Sequence, residues 1–286
     1  MRNGEAEGSF PHRRTRGYEC LRLNLSSSGL VVSVLRPTDW LHSFRLSDVI
    51  MSLFVGGGSI LYRVSPEEAV VGDSCKPLID LWEAVKTFPD RLASEYRSLW
   101  EALQKDNDFY YRVRERFNAY QEPWDFLFLT RTCMNGLIRF NREGKFNTSF
   151  HIGRNGIHPD TMDTIILDWH QKLHGVVFVS GDFTETLRTV TVEDFVYLDP
   201  PYFHTKGMYG ETFESSRLWE CLEHLNRVGV RWMMSYDGKS GDGDHTVDIP
   251  RHLYRRHEYI QSGISSFKKI VKKEKAMVYE SLYLNF

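Results

Sequence analysis

The sequence predicts an α/β fold: a mainly parallel sheet of alternating strands and helices, interrupted by a long, mainly helical insertion. Three observations carry this prediction. Short apolar runs rich in β-branched and aromatic residues, at 49–53, 69–72, 176–179 and 195–198, read as buried strands. Three of them run out at or close to an acidic residue, at Asp73, Asp182 and Asp199, and the carboxyl ends of strands are where open α/β sheets take up ligands. Between the second and third runs, residues 76–134 are mostly helical by periodicity, with Pro89 and Pro123 at helix starts.

A chain of 286 residues holds one large α/β domain plus an insertion, with an ample core. Its 41% hydrophobic and 14% aromatic content fit a soluble globular protein slightly rich in rings. A net charge of −2 argues against indiscriminate nucleic-acid binding, but the charges are segregated. Eight Lys/Arg stand against four Asp/Glu from Arg112 to Arg154, and eight against two from Arg251 to Lys275. Such stretches are either electrostatic footprints or solvated faces. Cys20, Cys75, Cys133 and Cys221 are far apart and form no Cys-x-x-Cys pair, which points to a reducing, intracellular setting. His170 and His174 are one helical turn apart with Asp168 nearby, but no third strong ligand adjoins them, so no metal site is expected. The lack of a membrane-length apolar run or a signal peptide leads us to expect a cytoplasmic protein. Nothing indicates an obligate protein partner.

Taken in order, residues 1–19 read as a loose tail rich in Gly, Arg and Glu. Phe54-Val55-Gly56-Gly57-Gly58-Ser59 then leads from the first strand into Ile60-Leu61-Tyr62. It reads either as a nucleotide loop entering a helix or as a plain flexible turn. With no Lys-Ser/Thr after the glycines, a P-loop is excluded. Asp73, at the end of the second strand, suits the ribose hydroxyls of a nucleotide. Within the insertion, residues 135–147 alternate aromatic with basic and amide side chains around Asn135-Gly136 and Glu143-Gly144. That pattern is a β-hairpin, either merely exposed or reading a DNA groove, where Arg suits guanine edges and Asn suits adenine or phosphate. After Tyr202 come a Ser-capped helix at about 215–227, a strand at 230–236, a polar loop at 237–244 and two strand-like segments at about 253–262 and 276–285. Strand–helix alternation closed by an antiparallel pair fits a seven-stranded sheet.

The centre of the chemistry is Asp199-Pro200-Pro201-Tyr202. Two prolines stop the strand, because neither can donate to a ladder and the first restricts the residue before it. The resulting corner offers a carboxylate, a proline carbonyl and an aromatic ring. Carboxylate and carbonyl can each accept one N–H of an exocyclic amino group on a flat base, leaving its lone pair outward while the ring stacks. The tetrapeptide alone also reads as a Pro-Pro turn with Asp199 as a cap.

These pieces together resemble a Dam-type DNA adenine-N6 methyltransferase, over residues 54–286. The resemblance rests on 54–59, on Gly72-Asp73 with Pro77-Leu78-Ile79-Asp80-Leu81-Trp82, and on Phe109-Tyr110-Tyr111 through Arg116-Phe117-Asn118. It continues through Asn135-Gly136-Leu137, Arg139-Phe140-Asn141, Gly144 and Phe146-Asn147, then Gly181-Asp182-Phe183 and 199–202, to Glu280-Ser281-Leu282-Tyr283-Leu284-Asn285-Phe286. The resemblance implies a Rossmann-like S-adenosylmethionine-dependent methyltransferase sheet, formed by 20–84 and 159–286, with a target-recognition domain at 85–158. S-adenosylmethionine is the implied cofactor and double-stranded DNA the implied substrate. By the same resemblance Phe54, Gly56, Gly57 and Gly58 shape the methionine end of the cofactor pocket, Asp73 holds the ribose, and Asp182 with Phe183 receives the adenine. Asp199, Pro200, Pro201 and Tyr202 take the flipped target base, with Asp199 also bordering the cofactor. Met134, Asn135, Arg139, Asn141, Arg142 and Lys145 would contact DNA, Arg139 on a guanine, at a GATC-like site. Met134 stands where an aromatic wedge is common. The resemblance also implies a phage-like source. The alternatives are an N4-cytosine methyltransferase and a catalytically impaired DNA-binding protein of the same fold.

Residues 20–53 depart from the pattern. Similar enzymes carry Lys-Trp-Ala-Gly-Gly-Lys about twenty residues before Glu-Pro-Phe, and here only Phe54 remains. Shifted by one frame, permitted codons for Ser27-Ser28-Gly29-Leu30-Val31-Val32-Ser33 encode that hexapeptide, and those for Met51-Ser52-Leu53 encode Glu-Pro. We therefore expect a frameshift beginning near residue 20 and corrected just before Phe54, leaving 20–53 to pack badly as a first strand. The competing expectation is a genuine, divergent N-terminus in which Trp40 or Arg45 serves the pocket.

Overall fold

The computed structural model describes residues 49–201, 215–240, 243–264 and 277–286. The chain enters the sheet as β1 (Ile50–Ser52), passes through the short α1 (Ser59–Val64) and returns as β2 (Ala69–Asp73). The helices α2 (Lys76–Thr87), α3 (Pro89–Lys105), α4 (Phe109–Tyr120) and α5 (Pro123–Thr132) follow. An irregular segment then leads to α6 (Pro159–Lys172) and β3 (Val176–Ser180). The short α7 (Phe183–Thr186), β4 (Phe195–Leu198), α8 (Ser215–Val228), β5 (Arg231–Ser240), β6 (Gly243–Asp244), β7 (Arg256–Ile264) and β8 (Met277–Leu284) complete the described chain.

The sheet runs β3-β2-β1-β4-β5-β8-β7, with β6 paired to β5 off that path. Neighbours among β3, β2, β1, β4 and β5 are parallel, while β8 is antiparallel to both β5 and β7. This is the expected parallel sheet with a closing antiparallel pair. Prolines start α3 and α5, where a missing N–H costs nothing.

Packing of β1 bears on the last part of the segment expected to pack badly. Ile50, Met51 and Leu53 are buried, and Met51 pairs with Val70 on one side and Val196 on the other. Ile50 belongs to the core on one face of the sheet, Met51 and Leu53 to the core on the other. A central strand covered on both faces needs apolar residues throughout, and 50–53 supply them. The expected poor packing therefore does not extend to this part. Residues 20–48, with Trp40 and Arg45, lie outside the described residues, as does the tail 1–19.

The expected polar loop at 237–244 is likewise corrected. β5 continues to Ser240 and turns back as β6, with its register against β8 shifting between Tyr236 and Lys239. Gly238 sits at that irregularity, where a Cβ would come within 2.2 Å of the Tyr279 carbonyl oxygen. Backbone pairing with β8 overrides the polar composition.

The inserted helices share their interior with the sheet. Val71, Trp82 and Trp169 fall in one buried cluster with Tyr110, Phe117, Phe126 and Phe146. The expected hairpin at 135–147 is reduced to an isolated antiparallel bridge, Phe140 to Phe146, beside a second bridge, Cys133 to Phe150. The Asn141 side chain takes the N–H groups of Glu143 and Lys145 and so bends the tip. The side chain of Asn118 clamps Phe146 from α4, accepting its N–H at 2.7 Å and donating to its carbonyl at 3.1 Å.

Candidate active site

Strand order reverses at β1, which lies between β2 and β4, and it is at such a reversal that open α/β sheets bind ligands, at the carboxyl ends of the strands. The segments carrying Gly56–Gly58, Asp73, Asp182 and Asp199 all leave the sheet at that edge. Residues up to 143 positions apart in the sequence, Gly56 to Asp199, thereby follow strand ends on one edge of the sheet.

The loop after β1 is bolted down before any ligand arrives. Val55 donates its N–H to the Gly72 carbonyl at 2.8 Å, and Gly58 donates to Val55 at 2.8 Å. Gly56 and Gly58 adopt positive φ of 45° and 67°, a region glycine enters without penalty. At Gly58 a Cβ would also meet the Trp169 and Trp82 rings at 2.9–3.1 Å. Those indoles, from α6 and α2, pack at 4.6 Å between centroids, and Trp82 Nε1 donates to the Gly56 carbonyl at 3.2 Å.

Asp73 ties two loops together. One carboxylate oxygen accepts the Gly56 N–H at 3.2 Å and the other the Cys75 N–H at 2.9 Å. Burial pushes its carboxyl above the ordinary value, and the backbone donors only partly oppose this. Its sequence-expected role toward a ribose thus sits beside a structural one that no motif announced.

Phe54 and Phe183 bring the β1 and β3 loops together, with ring centroids 5.7 Å apart. Asp182 caps α7, its Oδ1 accepting the Thr184 N–H at 3.1 Å and the Thr184 hydroxyl at 2.7 Å. Arg217 of α8 donates to the same oxygen at 2.8 Å and lies over the Phe183 ring at 5.2 Å. Burial pushes the Asp182 carboxyl up, but Thr184 and Arg217 outweigh it and hold the group below its usual range. Sequence reasoning missed Arg217, whose only signal is a cation in the first turn of a Ser-started helix.

Asp199 leaves β4 where Pro200 is buried and Pro201 half-buried. The aspartate keeps an open surface, yet the protein crowded about it raises its carboxyl above the ordinary value, opposed by Ser235. Ser235 Oγ donates to Asp199 Oδ1 at 2.7 Å and lies 3.0 Å from the Tyr197 hydroxyl. Ser235 and Tyr197 are buried on neighbouring strands, and burial holds the Tyr197 phenol well above its ordinary value, so it stays neutral. These two positioning residues were also missed. Their signals were faint: a tyrosine two residues before Asp199, and one serine in the apolar run 230–236. Tyr202 lies outside the described residues.

The expected DNA-contacting residues form a second group, beyond α5. Met134–Gly136 make one tight turn, with Met134 exposed and Asn135 at φ 55°. Arg139 is exposed and donates from Nε to Asn147 Oδ1 at 3.2 Å, while Arg142 points into solvent. Lys145 pairs with Glu143 at 3.3 Å. Asn141 spends its side-chain oxygen on the tip of the loop. Elsewhere, Asp168 accepts from the Tyr62 hydroxyl at 2.6 Å and His170 Nδ1 lies 2.9 Å from the Lys86 carbonyl. Among the described residues no three His, Cys, Asp or Glu side chains converge as metal ligands, and no helix is long and apolar enough to cross a membrane.

Comparison with known proteins adds the family. The model of the D12 class N6 adenine-specific DNA methyltransferases matches residues 40–280. The type II methyltransferase M.MjaIII of Methanocaldococcus jannaschii is 29% identical over 268 residues, covering 82% of this chain and 86% of that protein. The DNA adenine methylase of Serratia marcescens is 31% identical over 215 residues, covering 73% and 78% respectively. The retron Ec67 DNA adenine methylase of Escherichia coli is 28% identical over 223 residues, 73% of each chain. These matches favour adenine over the N4-cytosine alternative. Asp199 at the carboxyl end of β4, on a sheet that reverses at β1, and a family match spanning most of the sequence lead to one conclusion: the chain belongs to the D12 class N6 adenine-specific DNA methyltransferases, enzymes that methylate adenine in DNA at N6.

Proposed function

We propose that the enzyme takes its methyl group from S-adenosylmethionine and acts on an adenine flipped out of double-stranded DNA, with Asp199 as the acceptor for the reacting amino group. The observation that carries this reading is the placement of Asp199 at the end of β4, held by Ser235 and fixed by two prolines. A base stacked in a duplex cannot reach a bound cofactor, so extrusion is required.

The residues at the rim fit the cofactor. Gly56 turns the backbone at the rim in a left-handed conformation, Phe54 and Phe183 offer aromatic surface, and Asp73 and Asp182 offer carboxylate oxygens for hydroxyl and amino donors. S-adenosylmethionine, when bound, supplies an electrophilic methyl group on a sulfonium. The protein's part is to position and desolvate. Asp199 and the Pro200 carbonyl each accept one N–H of the adenine N6, which turns the nitrogen lone pair away from the ring system. Charge that develops on N6 is stabilised by the Asp199 carboxylate, whose burial-raised proton affinity also suits it to receive the proton that N6 loses. Tyr202 stacks on the base. No covalent enzyme intermediate is involved, and Cys75, whose thiol burial pushes up to about 12, stays inert.

In this reading residues 85–158 recognise the site, with 20–84 and 159–286 forming the catalytic domain. Met134 wedges into the base stack, Arg139 reads a guanine of a GATC-like site, and Asn135, Asn141, Arg142 and Lys145 contact the duplex. The enzyme works in the cytoplasm, where its DNA lies. Nucleosides from duplex DNA treated with protein and S-adenosylmethionine, analysed by mass spectrometry, should contain N6-methyladenine. Finding only N4-methylcytosine, or DNA binding with no transfer under any condition, overturns the proposal. A calorimetric titration with S-adenosylmethionine separates the two N-terminal expectations. Tight binding by the chain as written ends the frameshift idea, and so does a gene whose shifted frame lacks the two motifs.

A further inference from the structure

One residue of the loop after β1 has both of its backbone groups held by the protein itself. The Gly56 N–H is given to Asp73 at 3.2 Å, and the Gly56 carbonyl takes the indole N–H of Trp82 at 3.2 Å. Trp82 comes from α2, 26 residues on in the sequence, and is fully buried. A buried indole N–H ordinarily finds an acceptor, and Trp82 has found its acceptor on this loop. Its neighbour has not. Trp169 of α6 lies 4.6 Å from Trp82 between ring centroids and is 1% exposed, and its Nε1 has no partner among the described residues.

Ring packing leaves Trp82 little freedom to swing away. It stacks on Phe178 of β3 at 6.4 Å and 5° between planes, and Trp169 is in turn backed by Tyr62 at 5.0 Å. The carbonyl that Trp82 holds belongs to the peptide joining Gly56 to Gly57. In a planar trans peptide the carbonyl and the N–H point opposite ways. A bond that draws the Gly56 carbonyl toward the buried indole therefore turns the Gly57 N–H away from it. Gly57 is half-buried, and its N–H has no acceptor among the described residues. Such a donor is left to a ligand or to water.

We propose that Trp82 is a positioning residue for the cofactor: its indole N–H sets the plane of the Gly56–Gly57 peptide and so presents the Gly57 N–H to an acceptor atom of S-adenosylmethionine. This inference rests on the reading of the loop after β1 as part of the cofactor site. Trp82 touches no reacting atom and acts through the loop. What it governs is the fraction of molecules whose loop is ready to bind, and the apparent dissociation constant rises by the inverse of that fraction. The bound complex, once formed, reacts as before.

The test compares Trp82→Phe with Trp169→Phe in the full chain. Both variants give up indole packing beside Gly58, but only the first removes a hydrogen bond to the loop. In calorimetry, Trp82→Phe should bind S-adenosylmethionine roughly two- to tenfold more weakly than wild type, the equivalent of one neutral hydrogen bond. Trp169→Phe should bind it as the wild type does. In methylation of duplex DNA, Trp82→Phe should raise KM for the cofactor to a similar extent, with kcat nearly unchanged. Equal losses in the two variants would make packing the cause and overturn the proposal. If Trp82→Phe does not fold, hydrogen exchange in the wild type decides. The Gly57 N–H should exchange more slowly once S-adenosylmethionine is added, and an unchanged rate overturns the proposal. Wild-type binding that Trp82→Phe leaves intact refutes this inference alone. A wild type that binds no S-adenosylmethionine refutes the cofactor reading, and this inference with it.

Discussion

Replacing Ser235 by alanine removes one hydroxyl and tests what opposes protonation of Asp199. That hydroxyl donates to Asp199 Oδ1 at 2.7 Å and touches the Tyr197 phenol at 3.0 Å. Ser235 is 1% exposed, so no water readily takes its place. A hydrogen bond to a charged group contributes about 1.5–3 kcal/mol. Burial already raises the Asp199 carboxyl, and Ser235 is the group that opposes it. If the whole contribution is lost from the charged form, the proton affinity of Asp199 rises roughly ten- to a hundredfold, at about 1.36 kcal/mol per factor of ten. A protonated Asp199 has lost an acceptor for the amino N–H. The acid limb of the rate profile therefore moves to higher pH, while the plateau at alkaline pH falls less. Methyl transfer to duplex DNA, followed across about pH 5 to 9 at saturating cofactor, reads this directly. Ser235→Thr should restore the profile, and cofactor affinity should not change. A Ser235→Ala profile that superimposes on the wild type refutes the positioning role.

Asp199→Asn should abolish transfer while sparing cofactor binding; near-normal rates would mean the acid is misassigned. Because the folded-state carboxyl is raised, its stabilising effect is complete below about 3.9, the ordinary aspartate value, and is lost as pH rises through the raised one. Asp199→Asn should accordingly melt higher than wild type at neutral pH, with the advantage gone in strong acid. Gly72→Ala puts a Cβ 2.0 Å from Thr186 Oγ1 and should cost at least about 1–3 kcal/mol of stability in urea denaturation. Adding Thr186→Ala removes that oxygen and should recover most of the loss, whereas simple additivity would show that the contact is not the cause. Arg139→Ala should relax sequence choice by about 1–3 kcal/mol at one guanine, measured on duplexes varied at each position. Uniform weakening on every sequence would make Arg139 a phosphate contact instead.

Much of this protein was legible in the order of its residues, because strand cores, prolines and glycines act locally. The apolar runs at 49–53, 69–72, 176–179 and 195–198 became β1, β2, β3 and β4, and Pro89 and Pro123 opened helices. The acids at 73, 182 and 199 could be singled out because each follows such a run. Where local pattern conflicted with pairing, pairing prevailed: the polar stretch after Tyr236 joined β5 and β6 because β8 offered it a backbone partner. Partners far apart in sequence were beyond the reach of any motif. Nothing near Asp199 announces Ser235, 36 residues on, and nothing near Asp182 announces Arg217, 35 residues on. Nor does an arginine at the end of an apolar helix, Arg131, disclose that its Nε and Nη2 are buried without a hydrogen-bond partner among the described residues. Hydrogen bonds and ion pairs depend on distances of a few ångströms, and only the packing of distant segments against one another determines those distances.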